Sequence, residues 1–516
     1  MRLGIDVGGT NTDVVLLEGT TIRATCKSPT TPDITSGIRD GIEKLLSTSS
    51  TRDVDAVVIG TTHFINAVTQ AKHLARTASI RLATPPQTLM PLTDWPEPLA
   101  AACNAGTYVV RGGTQFDGRP LHDLDEPTLR EIAQEIRRHG TRHIAISGTF
   151  SPLDPAAEER TAQILLEEIP EASSTVSHEI GRIGLLGREN AAILNESLRP
   201  LAGSVASAFT DILDGLDLSA PIFITGNDGT LMTLGQVEKY PIFAIGSGPT
   251  NSMRGAAALC GLAAHDAAVV IDIGGTTTDI GLLRAGFTRE STVSVDLGGV
   301  RSNFRMPDVA SLAIGGGSIV DVSTGLVGPA SVGYRLTSDA LVFGGSTLTF
   351  TDIAVRAGFA QIGDVDAVRN VPRQLVERAL AYVRDKVNAL IEQTKMTDAQ
   401  TVISVVGGGA PLIAPLIAGA TEVPTEPGSA NAVGAAMAMA GGEVDRIESL
   451  AGTGRDDVLI RARVDARDRA VAAGADPATV RIIDEEDIPL SHLPGGTAIR
   501  VRVRAVGDMQ LKGALL

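Results

Sequence analysis

Residues 5–17 read IDVGGTNTDVVLL, and residues 271–283 read IDIGGTTTDIGLL. Asp6, Gly8, Gly9, Thr10, Thr12 and Asp13 recur in step as Asp272, Gly274, Gly275, Thr276, Thr278 and Asp279. A repeat this specific demands two copies of one local unit within the chain. An apolar run leads into each first aspartate: Leu3 and Ile5 before Asp6, Ala268 to Ile271 before Asp272. Both runs read as strands. Gly-Gly-Thr follows, a turn of the kind that closes a β-hairpin. Asp13 to Leu17 and Asp279 to Leu283 then read as second strands. The predicted unit is strand, glycine-rich hairpin, strand, with an aspartate ending the first strand.

That unit suits phosphate chemistry. Glycines let backbone N–H groups curl round phosphate oxygens, and threonine hydroxyls add donors. A carboxylate beside phosphates makes sense when it holds Mg²⁺. Two such hairpins, one per lobe, can grip one triphosphate from opposite sides. The plainer reading is a duplicated hairpin that needs glycine for its turn alone; it leaves both aspartates and the threonine pair unexplained.

The chain has 516 residues, too many for one ordinary core, so two or more lobes are expected. Its 44 basic against 60 acidic residues give a net charge of −16. This disfavours nucleic acid or an anionic membrane as partner. Cys26, Cys103 and Cys260 are scattered, which fits a reducing cytosol and argues against a disulfide framework or a cysteine zinc site. A strand-like run begins at Leu3, so no signal peptide is expected. The apolar stretch Thr401 to Val423 is broken by Gly407, Gly408, Gly409, Pro411 and Pro415, unlike a membrane span. The expected location is cytoplasmic.

Val402 to Val406 reads as a strand, followed by Gly407-Gly408-Gly409-Ala410-Pro411 and an apolar, helix-like stretch. Such a turn can border a nucleotide's sugar or base. Asp55 to Ile59 reads as a strand ending in Gly60-Thr61-Thr62-His63, with a helix from Phe64. His143 to Ser147 and Pro221 to Thr225 read as further strands. Asp154 caps a helix entered through Pro155. Phe243 to Ile245 leads into Gly246-Ser247-Gly248-Pro249 and a small-residue helix through Gly255 and Ala258. Leu375 to Gln393 is a long amphipathic helix. Alternating strands and helices argue for α/β. Beyond Gly441-Gly442 come a charged helix near Asp457 to Ala472 and a β tail from Arg481 to Val506. The expected division is 1–180 with the first hairpin, 181–440 with the second hairpin and the glycine loop, and 441–516 as a C-terminal subdomain.

The order hairpin, insert, hairpin, strand–GGGAP–helix resembles the phosphate and adenosine motifs of the actin, heat-shock ATPase and sugar kinase superfamily. More narrowly, RLGIDVGGTNTDVVLL, GTTHFINAV, NDGTLM, SGPTNSMRGAA, IDIGGTTTDIGLL, IGGGSIVDV, GGGAP with PGSANAVGAAMA, and LPGGTAIRVRVRAVGD together resemble A-type subunits of the hydantoinase/oxoprolinase family. The resemblance spans nearly the whole chain. It departs at His63 and Asn66, and at Thr230, where glycine is usual. The chain is also shorter than typical A subunits.

The resemblance implies two ribonuclease-H-like lobes with a nucleotide cleft, plus a small C-terminal α+β appendage. It implies ATP and Mg²⁺ as cofactors and a cyclic amide or imide as substrate, hydrolysed after ATP activates its carbonyl. A B-type partner subunit, or a homo-oligomer, is expected. Asp6 and Asp272 would hold the metal and count, with His63 and Asp228, as catalytic. Gly8, Gly9, Thr10, Asn11, Thr12, Gly274, Gly275, Thr276 and Thr277 would cradle phosphates. Gly408, Gly409 and Pro411 would border adenosine. Asp13 and Asp279 read as hairpin supports or metal ligands. Thr61, Thr62, Asn66, Ser247 and Glu189 are further substrate-side candidates. The bland readings are a helix start for His63, a turn for Asp228, a helix entry for Ser247 and a solvated helix position for Glu189. The alternatives are a small-molecule kinase, or a non-enzymatic actin-like ATPase or reactivase.

Overall fold

A computed structural model describes residues 1–8, 11–29, 34–47, 54–262, 265, 267–284, 286–291, 295–395, 401–419, 421–450, 453–490 and 498–510. Lobe I opens with β1 (Arg2–Val7), β2 (Asn11–Glu18), β3 (Thr21–Pro29) and β4 (Ala56–Thr61). An insert follows: β5 (Thr77–Ala83), β6 (Asn104–Arg111), β7 (His143–Gly148) and β8 (Ser173–Val176). The chain then returns to lobe I as β9 (Ile222–Thr225) and β10 (Leu231–Thr233). Lobe II carries β11 (Ala267–Ile273), β12 (Thr278–Arg284), β13 (Phe287–Thr288), β14 (Val295–Leu297), β15 (Val300–Ser302), β16 (Val309–Leu312), β17 (Ser318–Val320), β18 (Val327–Ser331), β19 (Val402–Val406) and β20 (Thr421–Glu422). The C-terminal unit adds β21 (Ala440–Ser449), β22 (Arg481–Leu490) and β23 (Ala498–Gly507).

The two main sheets share one plan. Lobe I runs β10-β9-β4-β1-β2-β3; lobe II runs β13-β12-β11-β19-β20, with β16 also on β12. In each, the repeat forms an antiparallel hairpin, and its first strand pairs in parallel with the next: β1 with β4, β11 with β19. Strands covered on both faces should read as near-continuous apolar runs, and β1 does. Leu3, Ile5 and Val7 face the main lobe I core with Phe64 and Phe209, while Val15 and Leu17 face Ala432 and Val433 on the other side. Lobe II has its own core around Ile271, Phe350 and Val383.

The insert is a parallel four-stranded sheet, β6-β5-β7-β8, with a separate core around Ile80 and Ile146. Helix Leu185–Gly215 packs on β7 and also feeds the lobe I core through Ile193, Leu194 and Phe209. Lobe I is therefore assembled from chain on both sides of residue 180. Gly203 lies inside this helix, and a Cβ there would meet nothing within 4 Å. Gly203→Ala is expected to raise stability by about 0.5–1 kcal/mol by removing unfolded-state freedom. The check is a higher denaturant midpoint at unchanged slope.

Several sequence expectations return with small shifts. The amphipathic helix runs Arg373–Thr394, the charged helix Arg455–Ala472, and Asp154 Oδ1 accepts from the Ala156 amide 3.0 Å away. Phe243 ends a short 3-10 turn, Pro241–Ala244. The helix expected after GGGAP is a single turn, Ala410–Ile413, passing into a 3-10 turn, Ala414–Leu416. Pro415 accounts for the stop, since proline lacks the amide needed to continue. The C-terminal sheet, β21-β23-β22, packs on the Arg455–Ala472 helix around Val444, Ala462 and Val501.

No helix among the described residues is long and apolar enough to cross a membrane.

Candidate nucleotide site between the lobes

The hairpins are equivalent in detail. Gly8 N donates to Asn11 O at 3.1 Å, and Gly274 N to Thr277 O at 2.9 Å. Asp6 lies directly across from Asp13, and Asp272 across from Asp279. Gly9 and Thr10 lie outside the described residues.

Two helices bring the hairpins together. Helix Ser247–Leu259 and helix Ala430–Ala436 cross with backbones almost touching. A Cβ on Gly434 would sit 1.8 Å from Asn251 O, and one on Gly255 1.9 Å from Ala430 O. The crossing delivers three polar side chains to the cleft. Asn431 lies near both Asp6 and Asp272 and favours the charged form of each, and Ser252 does the same at Asp272. Asn251 donates to Thr225 Oγ1 at 2.9 Å beside Gly60, where a Cβ would be 3.1 Å from Asp6 Oδ1. One asparagine thus faces the first-strand aspartates of both lobes.

The electrostatics follow from burial. Asp6, 5% exposed, has its carboxyl pushed up to about 8 by desolvation and by Asp13 and Asp272, against the opposing influence of Asn431. Desolvation and Asp279 push the Asp272 carboxyl up to about 7. Burial also raises Asp13 and Asp279; Lys27 opposes the shift at Asp13, and Ser311 and Thr277 oppose it at Asp279. Asp6 Oδ1 is buried without a hydrogen-bond partner among the described residues. Two buried carboxyls that raise one another favour a cation between them. Mg²⁺ fits this donor set, because it is commonly held by one or two carboxylates, with water and phosphate oxygens completing its shell.

The glycine loops press against this centre. Gly407 has φ +89°, and a Cβ there would meet Asp272 Oδ1 at 2.3 Å. Only glycine combines that backbone with that approach. Gly409 N donates to Ile273 O at 2.8 Å, and Gly408 lies against Gly428. Pro411 sits in the one-turn helix that follows. Gly316 N and Gly317 N donate to Gly274 O and Gly275 O, bracing the second hairpin from beneath, while Thr276 at its tip is exposed. Thr12 is buried, and its hydroxyl has no partner among the described residues.

On the lobe I side, Thr62 Oγ1 donates to Val7 O at 3.2 Å and Asn66 Nδ2 to Thr62 Oγ1 at 3.4 Å, which places both beside the end of β1. His63 Nδ1 hydrogen-bonds Thr61 Oγ1, and burial lowers the imidazole to about 4, so it is neutral at pH 7. Ser247, at the start of its helix, is buried with its hydroxyl unpartnered among the described residues.

Two candidates sit elsewhere. Glu189 is neither solvated nor facing the aspartate pair. It is buried in a two-bond contact with Arg81, at 2.8 and 2.6 Å, and accepts from Ser147 Oγ at 2.7 Å. Asp228 accepts from Thr230 N and Oγ1 and faces Arg504 of β23 at 3.5 Å. Burial favours its neutral form, but Arg504 and Thr230 outweigh this and hold the carboxyl below the ordinary range. Asp228 also borders a cavity of about 970 Å³ whose wall includes Arg182, Arg305, Asp445 and Arg500 but neither hairpin.

Sequence reasoning missed Lys27, Asn251, Ser252 and Asn431. For the three helical residues the available signal was polar side chains within small-residue helices; Lys27, on strand β3, carried none.

The hydantoinase/oxoprolinase N-terminal region matches residues 2–169, and the hydantoinase/oxoprolinase core region matches residues 188–362. Caprolactamase subunit alpha of Pseudomonas jessenii is 26% identical over 383 residues, 70% of this chain and 55% of that one. The acetophenone carboxylase gamma subunit of Aromatoleum aromaticum is 26% identical over 403 residues, 69% of this chain and 53% of that one. The crystal structure of the ATP-dependent caprolactamase from Pseudomonas jessenii superposes with a TM-score of 0.79 at 20% identity, covering 99% of this chain and 88% of that one. The chain spans a little over half the length of these two curated relatives. With the paired hairpins, the shared fold and both regions matched, the chain belongs to the hydantoinase/oxoprolinase family.

Proposed function

We propose that this chain binds Mg·ATP between its two hairpins and uses the γ-phosphoryl group to activate the carbonyl of a cyclic amide, as one subunit of an enzyme completed by a B-type partner. The observation that carries the reading is the pair of equivalent buried carboxyls, Asp6 and Asp272, brought from opposite lobes close enough for Asp272 to push Asp6 up. The alpha-subunit name of the caprolactamase relative supports both the substrate class and the partner.

Asp6 and Asp272 would hold Mg²⁺, which supplies charge neutralisation at the phosphates. The hairpin amides around Gly8 to Thr12 and Gly274 to Thr277 would orient the phosphate chain, and Gly408, Gly409 and Pro411 would border the nucleoside. An amide carbonyl is a poor electrophile. Moving the γ-phosphoryl group to its oxygen releases ADP and creates a leaving group. Water then adds at the carbonyl carbon, the ring C–N bond breaks as its nitrogen takes up a proton, and a second water hydrolyses the resulting acyl phosphate to carboxylate and phosphate. The chain contributes positioning and charge stabilisation. His63, neutral and tethered to Thr61, is suited to accept a proton near the end of β1. Asp228, turned toward Arg504, would act from the cavity side.

The test incubates the chain, alone and with a co-expressed B-type subunit, with ATP, Mg²⁺ and caprolactam, hydantoin or 5-oxoproline. ADP release that depends on a cyclic amide, with ring-opened product by mass spectrometry, is expected. ATP hydrolysis indifferent to every cyclic amide, with no opened ring, would overturn the substrate class. The carboxylase relative favours a second reading, activation of a ketone. ATP use that depends on ketone plus bicarbonate would select it.

A further inference from the structure

The two halves match closely until the third strand of each sheet. In lobe I the row across the sheet is Asp6, Asp13, Lys27. In lobe II it is Asp272, Asp279, Ser311. Ser311 satisfies Asp279 with a hydroxyl hydrogen bond. The hairpin therefore does not need a cation to accommodate its second aspartate. Lobe I nevertheless places one there: Lys27 Nζ stands 3.1 Å from Asp13 Oδ1.

Lys27 also reaches the other lobe. A Cβ on Gly428 would lie 3.5 Å from Nζ, and one on Gly408 3.9 Å. Those glycines belong to touching loops joined by a bond from Gly407 N to Pro427 O at 2.8 Å. The ammonium is 47% exposed, while Asp13 is 16% exposed. It thus stands at the mouth of the cleft, tethered to one lobe and facing the glycine loops of the other.

Resting on the nucleotide reading above, we infer that Lys27 is a phosphate-contacting residue, held by Asp13 and transferred to the polyphosphate when nucleotide enters. A compact ammonium on a flexible stem can make that swing without losing its charge. Because lobe II has serine at the matching place, the charge lies on one side of the cleft only. That asymmetry gives the phosphate chain a direction. It also sets the ammonium between the lobes, because the side chain anchored on Asp13 faces the glycine loops of lobe II.

The experiment is calorimetry on the full chain with Mg·ATP and with adenosine, comparing wild type, Lys27→Met, Lys27→Arg and the double variant Lys27→Met/Asp13→Asn. Lys27→Met is expected to weaken Mg·ATP about 10- to 100-fold, the loss of one charge-assisted bond to phosphate. Adenosine affinity should stay within about twofold, since adenosine has no phosphate. Lys27→Arg should recover most of the loss. The double variant should remain as weak as Lys27→Met. Restored Mg·ATP binding in the double variant would mean that Lys27 only neutralises Asp13, and would overturn the inference. Wild-type Mg·ATP affinity in Lys27→Met, or an equal loss for adenosine, would also overturn it. A wild-type chain that binds no nucleotide would remove the nucleotide reading itself, and Lys27's role with it.

Discussion

Asp6→Asn is expected to make the ligand-free chain more stable at pH 8 and to abolish ATP-dependent turnover. Burial pushes the Asp6 carboxyl up to about 8 in the folded chain, against an ordinary value of 3.8. Between those values the folded state holds a proton that the unfolded state releases. The contribution of protonated Asp6 to stability is therefore full below pH 3.8 and lost as pH rises through about 8. Asn keeps the shape and never ionises. The variant should match wild type near pH 4 and exceed it by roughly 2–4 kcal/mol at pH 8.5, given about 1.4 kcal/mol per unit and some relaxation. Asp272→Asn should behave alike over a narrower window, since Asp272 titrates near 7. Mg·ATP should stabilise wild type by linkage but leave Asp6→Asn unmoved, and turnover should fall about 100-fold or more. Thermal melts from pH 4 to 8.5, with and without Mg·ATP, check both halves. A variant that binds Mg·ATP with wild-type affinity, or melts lower than wild type at pH 8.5, would sink the assignment.

Gly434→Val should cost the fold. The added Cβ would fall 1.8 Å from Asn251 O and 2.6 Å from its carbonyl carbon, and neither backbone atom can step aside. The Ala430–Ala436 helix is held on its other flank by β1, where a Cβ on Gly4 would meet Ala432 O at 2.1 Å. With both sides closed, the helices must separate or the segment must melt. Overpacking in a flexible core costs about 1–3 kcal/mol, and this rigid contact places the expected loss at or above about 4 kcal/mol. Any folded fraction should lose Mg·ATP binding, since Asn251 and Asn431 ride on the displaced helices. Gly235→Ala is the control: a Cβ there meets nothing within 4 Å and should change stability by less than about 0.5 kcal/mol. Denaturant unfolding of both variants decides the matter. A soluble Gly434→Val within 1 kcal/mol of wild type would show the helix crossing to be adaptable.

The sequence by itself determined the repeated hairpins and the aspartate that ends each first strand. Each rests on residues a few positions apart: an apolar run, a glycine turn and a second apolar run. Turn geometry and strand period are local, so they can be read from adjacent letters. The apolar strands β4, β7 and β19 were legible for the same reason. What only the tertiary structure decided was which side chains meet between the lobes. Asn431 comes to the aspartates, and Asn251 to Thr225, because Gly255 and Gly434, 179 positions apart in the numbering, let two helix backbones touch. No local pattern encodes that approach. Lys27 sits in an ordinary strand, and it gains meaning when β3 aligns it with Asp13 and lobe II brings Gly408 and Gly428 to its tip. Glu189 and Asp228 were drawn away by Arg81 and Arg504, partners distant in sequence. A buried carboxylate takes the nearest guanidinium that relieves its desolvation, and packing alone determines which one stands near.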